Sequence, residues 1–188
     1  MLICPITALA STITVGPIGC NYTHIWEALD AANPGDVIEV ENGTYYEKLI
    51  IDKPIILRGN NTIIDAGGLR SPIELISDGI TLEGLIIVNS GDEKEDAGVK
   101  VGSNSNLILN NTIINNNYGI FLKSSSENVI SGNSISRNSN KGIYRKESNK
   151  NYITKNDIFL HTRITTYLSA LRYFLWVMDN HLSYEVIE

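Results

Sequence analysis

The chain has 188 residues, 43% of them hydrophobic and only 7% aromatic, with a formal net charge of −6. That length suits one domain with an end cap. The acidic balance, with Lys and Arg scattered rather than clustered, excludes a nucleic-acid-binding protein, and no unbroken apolar stretch reaches the roughly 18 residues of a membrane-spanning helix.

Residues 1–20 read as a signal-peptide remnant or an apolar lead-in. The run is apolar and reaches a small-x-small end at Ala8-Leu9-Ala10, but no basic residue precedes it. Cys4 and Cys20 alone make no disulfide framework. Asn-x-Thr sequons begin at Asn21, Asn42, Asn60 and Asn110, all in turn-like contexts. They are glycosylation candidates and agree with export to the cell surface, the extracellular space or the periplasm.

A short helix is expected over 23–32. Thr23 is its N-cap, Ile25, Trp26, Ala28, Leu29 and Ala32 form one face, and Asn33-Pro34-Gly35 stops it. Short aliphatic pieces follow at 37–40, 49–51, 55–57, 62–64, 73–76, 80–82, 85–88 and 99–101, punctuated by Gly, Asn, Asp and Ser.

From residue 57 the pattern repeats. Ile108-Leu109-Asn110-Asn111-Thr112-Ile113, Ile130-Ser131-Gly132-Asn133-Ser134-Ile135 and Ile153-Thr154-Lys155-Asn156-Asp157-Ile158 share one form. A second phrase keeps step with it, in Gly98-Val99-Lys100-Val101, Gly119-Ile120-Phe121-Leu122 and Gly142-Ile143-Tyr144-Arg145. Leu57, Leu82, Ile108, Ile130 and Ile153 fall at intervals of 25, 26, 22 and 23. Sandwiches and barrels show no such internal period, whereas a solenoid does. A coil of that length holds three short strands and three turns, and coils stack in parallel about 4.8 Å apart. Three aliphatic columns then fill the interior: Leu57/Leu82/Ile108/Ile130/Ile153, Ile87/Ile113/Ile135/Ile158 and Val99/Ile120/Ile143. Asn111, Asn133 and Asn156 fall at a turn, where stacked amides can bond to one another. The fold class is all-β, a right-handed parallel β-helix of about five coils over 21–158, with the helix at its N-terminal end.

Residues 159–188 depart from the period. Leu160, Ile164, Tyr167, Leu168, Leu171, Phe174, Leu175 and Met178 recur at helical spacing. The segment reads either as a cap helix over the open end of the stack or as sequence foreign to the repeat.

The repeats resemble those of the NosD-like β-helix family, also described as carbohydrate-binding and sugar-hydrolase repeats. The likeness extends to Trp26-Glu27-Ala28-Leu29-Asp30-Ala31-Ala32-Asn33-Pro34-Gly35-Asp36, Asn42-Gly43-Thr44-Tyr45-Tyr46-Glu47, Lys53-Pro54-Ile55-Ile56-Leu57-Arg58-Gly59 and Ser77-Asp78-Gly79-Ile80-Thr81-Leu82-Glu83-Gly84. The resemblance implies the fold. It leaves activity open, since the fold hosts surface proteins, glycan binders, lyases, hydrolases and a copper-delivery accessory protein.

Each chemistry has its candidate residues. Asp92-Glu93-Lys94-Glu95-Asp96 could offer carboxylates to Ca²⁺ but lacks the alternating spacing of a calcium loop, and reads as a solvated loop tip. Asp65 and Asp78 stand beside glycines, as turn residues do, and no column stacks two acids, so no glycosidase pair forms. His24, His161, His181, Met178, Cys4 and Cys20 lie at opposite ends of the chain in no copper motif. No metal ligand, catalytic residue or cofactor is assigned. The outward column Glu74, Lys100, Phe121, Tyr144 sets a charge pair beside an aromatic pair, a platform for sugar rings or else plain cross-strand pairing. Arg58 and Glu83 form a structural outward pair. The expectation is an exported cell-surface β-helix, structural or glycan-interacting and non-catalytic, whose partners are a surface polysaccharide or other cell-envelope proteins. A polysaccharide lyase or hydrolase and a copper accessory protein are the alternatives.

Overall fold

Strand β1 (Thr12–Val15) pairs in parallel with β2 (Val37–Val40), and a helix, α1 (Ile25–Ala31), lies between them in the chain. The computed structural model describes residues 10–159, so Cys4 and the helical face from Leu160 to Met178 lie outside the described residues. Beyond β2 the coils run through β3 (Gly43–Tyr45), β4 (Leu49–Ile51), β5 (Ile56–Asp65), β6 (Ile73–Leu75), β7 (Thr81–Val88) and β8 (Ala97–Val101). They continue with β9 (Leu107–Leu109), β10 (Thr112–Ile114), β11 (Tyr118–Lys123), β12 (Val129–Ser131), β13 (Ser134–Ser136), β14 (Ile143–Lys146), β15 (Tyr152–Thr154) and β16 (Asp157–Phe159). Among the described residues the strand pairings are parallel, and they form an 11-stranded sheet and a five-stranded sheet, the latter in the order β14-β11-β8-β6-β4. The protein is a right-handed parallel β-helix.

Register sets the core. Ile13, Ile38, Leu57, Leu82, Ile108, Ile130 and Ile153 are Cα partners in sequence, so six turns separate Ile13 from Ile153. Ile64, Ile87, Ile113, Ile135 and Ile158 make a second column, and Leu49, Ile73, Val99, Ile120 and Ile143 a third. These three columns are buried apart from Ile13, which is half-buried. Two features differ from the sequence reading. The stack holds one turn more than five, because residues 12–15, read as part of a lead-in, form its first strand. That turn carries a helix in place of a strand, so its sequence lacks the repeat.

The helix also differs. It is seven residues long, its N-cap is His24 rather than Thr23, and no side chain of the cap bonds to it. Its polar ends are closed by residues from the next coil. The Glu47 carboxylate accepts hydrogen bonds from Ile25 N at 3.2 Å and Trp26 N at 3.0 Å. Lys53 Nζ donates to the carbonyls of Leu29, Asp30 and Ala32 at 2.9–3.0 Å. An anion at the N-terminus and a cation at the C-terminus are where the helix dipole favours them. Asp36, just after α1, accepts hydrogen bonds from Asn33 N and Ser11 N, which hold its carboxyl below the ordinary value.

The corners follow one rule. Gly84, Asn110, Gly132 and Lys155 occupy equivalent positions in successive coils, with φ of 70°, 55°, 70° and 55°. Asn89, Asn115 and Arg137 do the same at a second corner, and Ser105, Glu127 and Lys150 at a third, with φ between 51° and 59°. Left-handed backbone costs a non-glycine residue about 1–2 kcal/mol. In the C-terminal coils, an inward asparagine follows each such residue and offsets that strain. Three ladders result: Asn106/Asn128/Asn151, Asn111/Asn133/Asn156 and Asn116/Asn138. Along each ladder an Oδ1 accepts a hydrogen bond from the backbone N of the ladder asparagine one coil earlier, at 2.9–3.0 Å.

Candidate functional site

The register of the five-stranded sheet places Ile50, Glu74, Lys100, Phe121 and Tyr144 in one outward column. The four candidate residues are therefore neighbours. They do not make an exposed ladder. Phe121 is 1% exposed and belongs to a second small apolar cluster with Ala97 and Tyr118, against which Tyr144 packs. The reason lies in the glycines before the strand interior. A Cβ on Gly98 would meet Ile113 Cγ2 at 2.7 Å, and one on Gly119 would meet Ile135 Cγ2 at 2.5 Å. Those positions lie against the core, and Tyr118, one residue earlier, turns outward to cover Phe121. The Tyr118 and Tyr144 rings are stacked at 5.2 Å and 16°, and Phe121 lies 5.5 Å from Tyr118 and 5.2 Å from Tyr144. Lys141 Nζ sits 4.8 Å from the Tyr144 ring centroid, within reach of a cation–π contact.

The acidic loop, residues 89–96, lies along the edge of this cluster. Asn117 Nδ2 donates to Glu93 O at 2.7 Å, and Asp96 accepts a hydrogen bond from Glu93 N, which fixes the loop. Glu95 turns over the sheet. Its carboxylate accepts from Lys123 Nζ at 2.9 and 2.8 Å, and stands 3.7 Å from Lys100 Nζ and 3.8 Å from Lys146 Nζ. Glu74 adds a 4.0 Å contact to Lys100. The bond from Lys123, with the other two lysines nearby, holds the Glu95 carboxyl below its ordinary range.

Two shallow clefts open beside the loop. One of about 150 Å³ is lined by Lys94, Glu95, Tyr118, Phe121, Tyr144 and Lys146. The other, about 420 Å³, is lined by Asp92, Lys94, Asn117, Tyr118, Ser139 and Asn140. Lys94 and Tyr118 line both, so the two clefts adjoin. Lys123 and Lys146 were missed in the sequence; they recur one coil apart, two residues after Phe121 and Tyr144, which is the signal that could have found them. A third concavity, about 560 Å³, lies near the N-terminal end and includes Tyr46, His24, Asn42 and Glu47.

The other candidates lie apart from this groove. Asp65 accepts hydrogen bonds from Gly67 N and Asn89 Nδ2, and Asp78 from Asn104 N, as turn residues do. Arg58 Nε pairs with Glu83 at 3.1 Å. Asn21, Asn42, Asn60 and Asn110 are all exposed, though Asn21 accepts hydrogen bonds from both the backbone N and the Oγ1 of Thr14.

The repeat geometry has a counterpart among known families. The family model described as periplasmic copper-binding protein (NosD) matches residues 29–184. This chain belongs to that family. No curated protein matches it. Among solved structures, Escherichia coli YbhC superposes with a TM-score of 0.62 at 15% identity, over 84% of this chain and 58% of its own. The pectin methylesterase from Aspergillus niger superposes with a TM-score of 0.59 at 19% identity, over 85% of this chain and 63% of its own. This chain thus spans less than two thirds of either, and at such identities the likeness is one of fold. The family's description names copper, but the described residues do not fit it. No three His, Cys, Asp or Glu side chains gather among them, and the His24 imidazole pairs with Glu47 at 3.2 Å. His161, Met178 and His181 lie outside the described residues.

Proposed function

We propose that this protein is exported and holds a polysaccharide along the outer face of its five-stranded sheet without reacting with it. The observation that carries this reading is the pair of adjoining clefts beside residues 89–96. Its lining supplies what a sugar chain needs: the carboxamides of Asn117 and Asn140, the hydroxyls of Ser139 and Tyr118, the ammonium groups of Lys94 and Lys146, and ring edges. Saccharide sites combine such polar groups with aromatic surface. Membership of a family described as periplasmic supports export, as do four exposed sequons. Two carboxylates with enzymatic flavour are engaged elsewhere. Asp65 and Asp78 hold turns, and Glu95, ion-paired and acid-shifted, is a poor proton donor.

The test is retention on immobilised polysaccharides, acidic and neutral, followed by assay for new reducing ends or unsaturated products. The wild-type chain should be retained by at least one polymer and release no product. The pair Lys94→Ala with Asn140→Ala should cut retention about tenfold or more, while Tyr46→Ala, in the separate N-terminal concavity, should leave it unchanged. Retention lost with Tyr46→Ala would move the site to that end. Product formation would make the protein an enzyme, and copper bound at micromolar concentration would favour a metal-delivery role.

A further inference from the structure

Lys100, Lys123 and Lys146 stand on three consecutive coils, and all three converge on the single carboxylate of Glu95. Lys123 and Lys146 are direct Cα partners in adjacent strands. Like charges placed directly opposite in a sheet, about 4.8 Å apart, destabilise it. The fold does not require them, since Ile50 and Ile76 occupy the outer face of the same sheet one or more coils away and are more than half exposed. Three ammonium groups (Lys100, Lys123, Lys146) meet two carboxylates (Glu74, Glu95) on the sheet face, and Lys94 lines the smaller cleft beside Glu95. The chain as a whole is at −6. Cations outnumber carboxylates only on the sheet face itself, and the flanking loop adds Asp92, Glu93 and Asp96.

We infer that the groove's ligand is a carboxylated polysaccharide, and that Glu95 occupies the seat of one of its carboxylates. This rests on the polysaccharide reading above and narrows it to a class. Lys123 and Lys146 repeat a cation on two adjacent coils, and a polymer of acidic sugars repeats its anion once per unit, so two rungs can meet two residues of the polymer. The seat is open to solvent: the side chains of Lys123 and Lys146 are each 42% exposed and that of Glu95 29%. A ligand carboxylate can therefore replace Glu95 by rotation of one side chain, with the ring lying towards Tyr118 and Tyr144 in the smaller cleft. Glu95 keeps the lysines compatible in the empty protein and competes with the ligand in the occupied one.

The experiment compares polygalacturonate with the same polymer after reduction of its carboxyls to alcohols, using wild type, Glu95→Gln, and Lys123→Ala with Lys146→Ala. Thermal unfolding of each variant confirms folding. Wild type should bind the acidic polymer at least tenfold more tightly than the reduced one, with affinity falling as salt rises. Glu95→Gln should tighten acidic binding about tenfold, by removing the competitor, and leave the reduced polymer unaffected. The double lysine variant should lose the preference. Equal binding of both polymers, with no effect of Glu95→Gln, would overturn the inference and leave the polysaccharide reading standing. Weaker acidic binding by Glu95→Gln would also overturn it, because Glu95 would then be a ligand contact. Binding of neither polymer, nor of any other saccharide, would sink the broader reading and the inference with it.

Discussion

Phe121 stands on the outer side of its strand, yet only 1% of it is exposed. Strand parity correctly assigns it away from the main core, but parity does not say what lies on the outer face. Here Tyr118, Tyr144 and Ala97 bury it. Truncation must therefore leave a cavity even though the position faces outward. Phe121→Ala should cost roughly 3 kcal/mol, close to the cost of Ile120→Ala in the main core. Tyr144→Ala, at the partly exposed rim, should cost about 1 kcal/mol, the value of its ring contacts. Urea unfolding of the three variants checks the order. A Phe121→Ala variant as stable as wild type would mean the outer cluster contributes no packing. For the same reason a double variant of Phe121 and Tyr144 is a poor probe of binding, and polar groove residues are better ones.

The corners of the C-terminal coils are densely hydrogen-bonded. Asn133 illustrates the load. Its Oδ1 accepts from the backbone N and Nδ2 of Asn111, and its Nδ2 donates to Ile108 O and Asn156 Oδ1, all at 2.8–3.0 Å. Asn133→Ala leaves the buried Asn111 N–H without its acceptor, and each buried unsatisfied group costs about 1–3 kcal/mol. The substitution should lower stability by roughly 3 kcal/mol. Asn133→Asp should also destabilise, because a carboxylate cannot donate to Ile108 O. Thermal unfolding distinguishes this from a surface asparagine such as Asn140, whose loss should cost less than about 0.5 kcal/mol. The repeat made one ladder legible, through Asn111, Asn133 and Asn156. The other two were equally written in the spacing of five between Asn106, Asn111 and Asn116, each after a residue in left-handed backbone. Their preceding residues, Glu127, Arg137 and Lys150 among them, are not turn formers, so composition hid the corners. The closure of α1 was not legible locally, since Glu47 and Lys53 reach it from the next coil. The register of the candidate column was legible; its burial was not, because that depends on how residues 89–96 and Tyr118 fold over it.

A stacked-coil molecule is held by neighbour contacts along one axis, so each aliphatic column is continued or broken coil by coil. One column here is broken at β14. Ile51, Leu75, Val101 and Leu122 are buried partners in register, and the next position is Arg145. Its Nε is buried and has no hydrogen-bond partner among the described residues. A guanidinium nitrogen withdrawn from water without a partner costs free energy that an aliphatic side chain would not. Arg145→Leu completes the column and should raise stability by roughly 1–3 kcal/mol, read as a higher urea midpoint at an unchanged slope. A loss of stability in Arg145→Leu would show instead that the charge has a partner that helps hold the fold.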